Sequence, residues 1–187
     1  MSFIGAAVGV GLVESRNMDV RMRNSAILSA VERGDLDQFI KIINGDDALL
    51  HAFTPLGTWL HIAAYEGQLK MVEYLLQQGL DINADGGTLG GGALNAAASK
   101  GHAATAEFLL SKGAKLDVSE PEKNPLFGAI YAESKQTVLL LLDSGIDFSI
   151  KYSGESMKNM DAIAFAKERG QSEIAEIIQQ RAHKNQN

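Results

Sequence analysis

Hydrophobic positions along the chain gather in short blocks of alanine, leucine and isoleucine, each closed by a glycine or a polar turn, and the blocks recur. Five segments align. They are Ala26-Ile27-Leu28-Ser29-Ala30-Val31-Glu32-Arg33-Gly34, Trp59-Leu60-His61-Ile62-Ala63-Ala64-Tyr65-Glu66-Gly67 and Ala93-Leu94-Asn95-Ala96-Ala97-Ala98-Ser99-Lys100-Gly101, followed by Pro125-Leu126-Phe127-Gly128-Ala129-Ile130-Tyr131-Ala132-Glu133 and Ala162-Ile163-Ala164-Phe165-Ala166-Lys167-Glu168-Arg169-Gly170. Their starts lie 33, 34, 32 and 37 residues apart. A second motif keeps phase with three of them: Leu75-Leu76-Gln77-Gln78-Gly79, Leu109-Leu110-Ser111-Lys112-Gly113 and Leu141-Leu142-Asp143-Ser144-Gly145. A fixed period held by two motifs at once predicts a repeat architecture. Each unit reads as a helix, a tight turn at Gly34, Gly67, Gly101 or Gly170, and a second helix. Glycine supplies the left-handed backbone that ends the first helix.

The same residues predict the packing. Alanine pairs such as Ala63-Ala64 and Ala97-Ala98 let the first helices of neighbouring layers approach closely. Leucine pairs fill the space between layers. A single two-helix layer cannot bury its own apolar face, so layers must stack. Leu76 and Leu110 are expected at these inter-layer positions, where a fully buried leucine contributes about 1.5–3 kcal/mol. Residues 173–181 carry one apolar stripe and a polar outer face, as a terminal layer requires.

These motifs resemble the ankyrin repeat, whose pattern runs Thr-Pro-Leu-His-x-Ala-Ala-x-x-Gly, a helix, Leu-Leu-x-x-Gly-Ala, then Asn-Ala. Thr58 to Gly67 departs from it only at Trp59, where proline would stand, and Asp81-Ile82-Asn83-Ala84 closes that unit in the family's way. The fourth unit has Glu133 in place of the turn glycine. The resemblance covers about residues 24–182. It implies an all-α ankyrin-repeat solenoid of stacked helix–turn–helix layers joined by finger loops, with about five repeats and the first and last as caps. Residues 1–23 are then an apolar N-terminal segment and 183–187 a polar tail.

The resemblance also implies where function sits, along a concave strip of first-helix ends and finger loops. The two positions before each turn are Glu32 and Arg33, Tyr65 and Glu66, Ser99 and Lys100, Tyr131 and Ala132, and Glu168 and Arg169. The fingers add Phe53 and Thr54, Thr88 and Leu89, Glu122 and Lys123, and Met157 and Lys158. Tyr65 and Tyr131 are the expected anchors, because aromatic side chains dominate the energetics of protein interfaces. Trp59, the single tryptophan, fits either a core position or a partly exposed anchor.

Composition narrows the chemistry. At 187 residues and 45% hydrophobic content the chain predicts one compact unit with a sizeable core. It has no cysteine, which excludes disulfides, thiolate metal sites and cysteine nucleophiles. No two of His51, His61, His102 and His183 share a helical spacing that would pair them on a metal. The resemblance gives His61 a structural role, satisfying backbone and threonine groups between repeats, and treats His102 as the family's Gly-His pair. The run Gly86-Gly87-Thr88-Leu89-Gly90-Gly91-Gly92 suggests a phosphate cradle, but no lysine follows it. It reads instead as a flexible finger loop.

Nothing marks a nucleophile elbow or an oriented triad, so the expectation is a non-catalytic chain without cofactor or metal. Seventeen Lys and Arg against 23 Asp and Glu give a net charge of −6. That charge argues against nucleic acid as a partner and would steer a basic partner protein toward the surface. Two readings follow: a protein–protein interaction module working through its concave face, or a dedicated inhibitor or immunity protein that neutralises a toxin or enzyme. The apolar run at residues 3–13 is too short to span a bilayer and lacks the flanks of a secretory signal. It is expected to pack over the first layer. A cytoplasmic location is expected, with export left open by the same run.

Overall fold

The computed structural model describes residues 21–88, 90–154 and 157–184. In it, helical residues 21–33 (α1) are followed by α2 (Leu36–Ile43), a single turn α3 (Asp47–Leu50), α4 (Trp59–Tyr65) and α5 (Leu69–Gln77). Then come α6 (Ala93–Ser99), α7 (Ala103–Ser111), α8 (Pro125–Tyr131), α9 (Lys135–Asp143), α10 (Ala162–Glu168) and α11 (Ser172–Lys184). Among the described residues there is no strand, only the isolated antiparallel bridges Thr54–Gly57 and Tyr152–Met160 in two finger loops. The last helix continues through Lys184, two residues beyond the expected end of the array. The expected N-terminal segment lies, for residues 1–20, outside the described residues, as do residues 185–187.

First helices stack on first helices, α4 on α6, α6 on α8 and α8 on α10, while α5, α7, α9 and α11 form a second row. Alanine makes the inner row close. Ala63, Ala64, Ala96, Ala97, Ala98 and Ala129 are all buried, and side chains this short let helix axes approach toward the ~8 Å limit of helix packing. The outer row supplies bulk. Met71, Val72 and Leu75 in α5, and Thr105, Ala106 and Leu109 in α7, point into the core. This corrects one expectation. Leu75 and Leu109 are fully buried, whereas Leu76 and Leu110 are half-buried at the edge of the core. Each lies about 100° further round its helix than the leucine before it, which turns it partly outward.

The turns stack as tightly as the helices. A Cβ at Gly34 would lie 2.2 Å from Gln68 Oε1, one at Gly67 2.6 Å from His102 Nδ1, and one at Gly101 2.9 Å from Ser134 Cβ. The residue after each turn therefore nests beneath the turn of the layer before it. The fourth layer breaks this rule, with Glu133 held at φ +56°. At the far end, Lys135 pairs with Glu173 and Arg181 with Asp143. Arg181 Nη1 also donates to Leu142 O at 3.1 Å, fixing α11 to α9.

Candidate functional site

The third residue of each first helix decides how the next finger is held. In the second layer it is His61, fully buried, whose Nε2 donates to Ala84 O at 2.9 Å. Its Nδ1 accepts from the Thr58 N–H at 3.2 Å and lies 2.9 Å from the Thr58 hydroxyl. A backbone N–H can only donate and a carbonyl can only accept, so the ring is neutral with its proton on Nε2. Burial pushes its pKa below the ordinary histidine value. In the third layer the position is Asn95, whose Nδ2 donates to Glu122 O at 2.7 Å and Gly90 O at 2.9 Å. In the fourth it is Phe127, which has no hydrogen-bonding group to offer.

Phe127 instead nucleates an aromatic cluster. It stacks on Phe165 with centroids 4.6 Å apart and meets Tyr152 edge-on at 5.2 Å. The Tyr152 hydroxyl accepts from Asn124 Nδ2 at 3.0 Å and donates to Val118 O at 2.7 Å. That pair holds the finger that a histidine or asparagine would have held. Burial raises the Tyr152 pKa, so the phenol stays protonated. Beside the cluster opens a cleft of about 270 Å³, lined by Phe127, Tyr131 and Phe165 from the inner helices and by Pro121, Glu122 and Met157 from the fingers.

A repeated device crosses the inner face. Lys100 Nζ lies 4.6 Å above the Tyr65 ring, and the Arg169 guanidinium lies 4.4 Å above Tyr131 and 5.6 Å from Phe165. In both cases the residue before one turn covers the aromatic ring of the layer before it. Such contacts are worth about 0.5–1 kcal/mol when exposed. They order large side chains that would otherwise lose rotamer freedom only on binding.

Residues 60–152 match the family model for ankyrin repeats, in three copies. The chain is an ankyrin-repeat protein. The chain is also 28% identical over 153 residues to a palmitoyltransferase of Lachancea kluyveri, a match covering 80% of this chain and 21% of that protein. The chain thus spans about a fifth of the length of the curated relative it matches. Among the described residues no cluster of metal-ligating side chains is present, and no helix is long and apolar enough to cross a membrane.

Within the ankyrin array the expected strip residues divide. Tyr131 is 62% exposed and Phe53 63%, while Tyr65 is half-buried beneath Lys100. Glu32, Arg33, Glu66, Lys100, Glu168 and Arg169 all reach solvent. The Ser99 hydroxyl turns back onto Ala96 O at 2.9 Å, inside its own helix. Lys123 is engaged within the array: its Nζ lies 3.2 Å from Asp85 and 3.6 Å from Glu120, and the Asp85 carboxylate raises its pKa. Trp59 leaves the strip altogether. It is 1% exposed, and its Nε1 donates to Leu49 O at 2.7 Å, because the carbonyl at the end of α3 satisfies the indole inside the core. Leu89 lies outside the described residues.

The glycine-rich finger, described on either side of Leu89, is tied to its neighbours. Gly86 N donates to Gly91 O at 2.7 Å and Thr88 N to Pro55 O at 2.8 Å. A Cβ on Gly86 would come within 2.3 Å of His61 and one on Gly87 within 2.1 Å of Pro55 O. These glycines permit close approach between two fingers. Sequence reasoning missed Phe127, which is buried, and the half-buried Phe165 as walls of the cleft, although Phe127 stands in register with His61 and Asn95.

Proposed function

We propose that this chain is a non-catalytic binding module that holds a partner protein against the inner face of its ankyrin array. The observation that carries this reading is Tyr131, a large aromatic side chain left mostly in water while capped by Arg169. It stands at the rim of an apolar cleft lined by Phe127, Phe165 and Met157. Exposed, pre-ordered aromatic residues beside a desolvated pocket are the usual centres of binding energy in protein interfaces. A cytoplasmic setting accords with the cysteine-free sequence.

The palmitoyl-transfer activity named for the Lachancea kluyveri relative is not proposed for this chain, which covers 21% of that protein and brings no cysteine of its own. Between a scaffold and a dedicated inhibitor, the number of partners decides. One tight enzyme partner supports inhibition and several weaker ones support scaffolding. The test of the common reading is the double substitution Tyr65→Ala with Tyr131→Ala. Measured by calorimetry against a co-purified partner, it should weaken binding by about 2–4 kcal/mol, at a temperature where the variant, which loses the half-buried Tyr65, is still fully folded. Undiminished affinity would move the interface off this face.

A further inference from the structure

We propose that the cleft walled by Phe127, Tyr131 and Phe165 receives one large apolar side chain of an extended partner segment, whose adjoining residue is a carboxylate held by Arg169. The proposal rests on the inner-face reading above and specifies the chemistry of what binds there. A volume of about 270 Å³ falls just below the range of pockets for whole small molecules, roughly 300–1,000 Å³, and suits a single leucine, methionine or phenylalanine side chain. Phe127, in its wall, stands at the position where His61 and Asn95 tie the fingers of the layers before it.

Charge complementarity sets the rest of the occupant. Arg169 lies over Tyr131 and Phe165, and no carboxylate among the described residues pairs with it or with Lys100. A guanidinium stacked on a ring keeps its N–H edge free, and that edge matches a carboxylate in bidentate fashion. On the opposite, finger side the cleft ends at the exposed Glu122, which repels a second anion there. The acid of the segment therefore points toward the turns. Lys100 stands two layers before Arg169, about 20 Å away at ~10 Å per layer. An extended chain covers that span in roughly six residues, which places a second acid.

The whole-chain charge of −6 opposes an acidic segment at long range. At physiological salt the Debye length is about 8 Å, so contacts at the cleft outweigh it. The local surface thus favours an acidic segment over the basic partner that the net charge alone suggests.

The test selects binders to the full chain from a random twelve-residue peptide library and measures the enriched peptides by fluorescence anisotropy. The proposal expects an apolar residue beside Asp or Glu in the enriched sequences. Arg169→Glu should weaken their binding at least tenfold, and exchanging the peptide's acid for lysine should restore it. Lys112→Glu, on the outer row over Phe108, should leave binding unchanged. Enrichment of basic or charge-free sequences, failure to enrich any peptide, or indifference to Arg169→Glu would overturn the proposal. Peptides that ignore Arg169→Glu but are lost with the Tyr65→Ala, Tyr131→Ala pair would overturn it alone. Peptides that ignore both changes would overturn the inner-face reading as well.

Discussion

His61 links Thr58 to Ala84 through its two ring nitrogens, and the Nδ1 bond, which accepts from the Thr58 N–H, requires the neutral ring. Protonating Nδ1 would set a second donor against the Thr58 N–H. The consequence for stability follows by linkage. Folded His61 has a pKa below the unfolded value of about 6.5, so below that pH the unfolded chain takes up a proton that the folded chain refuses. Its contribution is complete above about pH 6.5 and is lost as pH falls from there toward the folded pKa. Urea midpoints measured from pH 7.5 to 5 should therefore decline, and His61→Asn should remove that part of the slope. A mutant with an undiminished slope would assign the pH dependence elsewhere.

Glu133 presents the reverse case, a residue at odds with its position. Its left-handed backbone costs a non-glycine residue roughly 1–2 kcal/mol. Both amide atoms of Gln171, in the layer beyond, are buried without a hydrogen-bond partner. The matching Gln68 nests against Gly34 and donates to Glu32 O at 2.9 Å. Glu133→Gly should thus stabilise the chain by about 0.5–1 kcal/mol, the strain relief less the extra entropy of glycine in the unfolded chain. A lower chemical-denaturation midpoint would show that Glu133 is held by something else.

At the scale of single helices, the paired leucines are not equivalent. In α7, Leu109 completes the face of Thr105 and Ala106, while Leu110 is half-buried. Leu109→Ala should cost about 2–5 kcal/mol, and Leu110→Ala clearly less. Equal losses would mean that the two positions share the core evenly. The sequence period shows that a leucine pair faces the core, but the choice between its members depends on the helix's rotation, which neighbouring layers fix. The finger loops were less legible for a related reason. A run of glycines reads locally as freedom, whereas here it answers the nearness of Pro55 and His61, more than twenty residues away in sequence.

For the molecule as a whole, the layered plan was written in the period of Gly34, Gly67 and Gly101, each explained by the side chain nesting beneath it. The site was written less plainly. Tyr65 and Tyr131 could be placed by register alone, but their pairing with Lys100 and Arg169 spans 35 and 38 residues and emerges only on stacking. Trp59 was ambiguous because burial depends on α3, a single turn that no periodicity announces. In a stack of this kind each layer contacts only its neighbours, so stability is nearly a sum of local terms and one face is free to bind along its length.

The most direct test of that division of labour places a photo-crosslinking benzoylphenylalanine at Tyr131 on the inner face or at the exposed Leu139 on the outer row. Each variant is then irradiated in extract from the protein's own source. The account predicts a discrete protein adduct from position 131 that is absent from position 139. An adduct formed only from position 139 would contradict it.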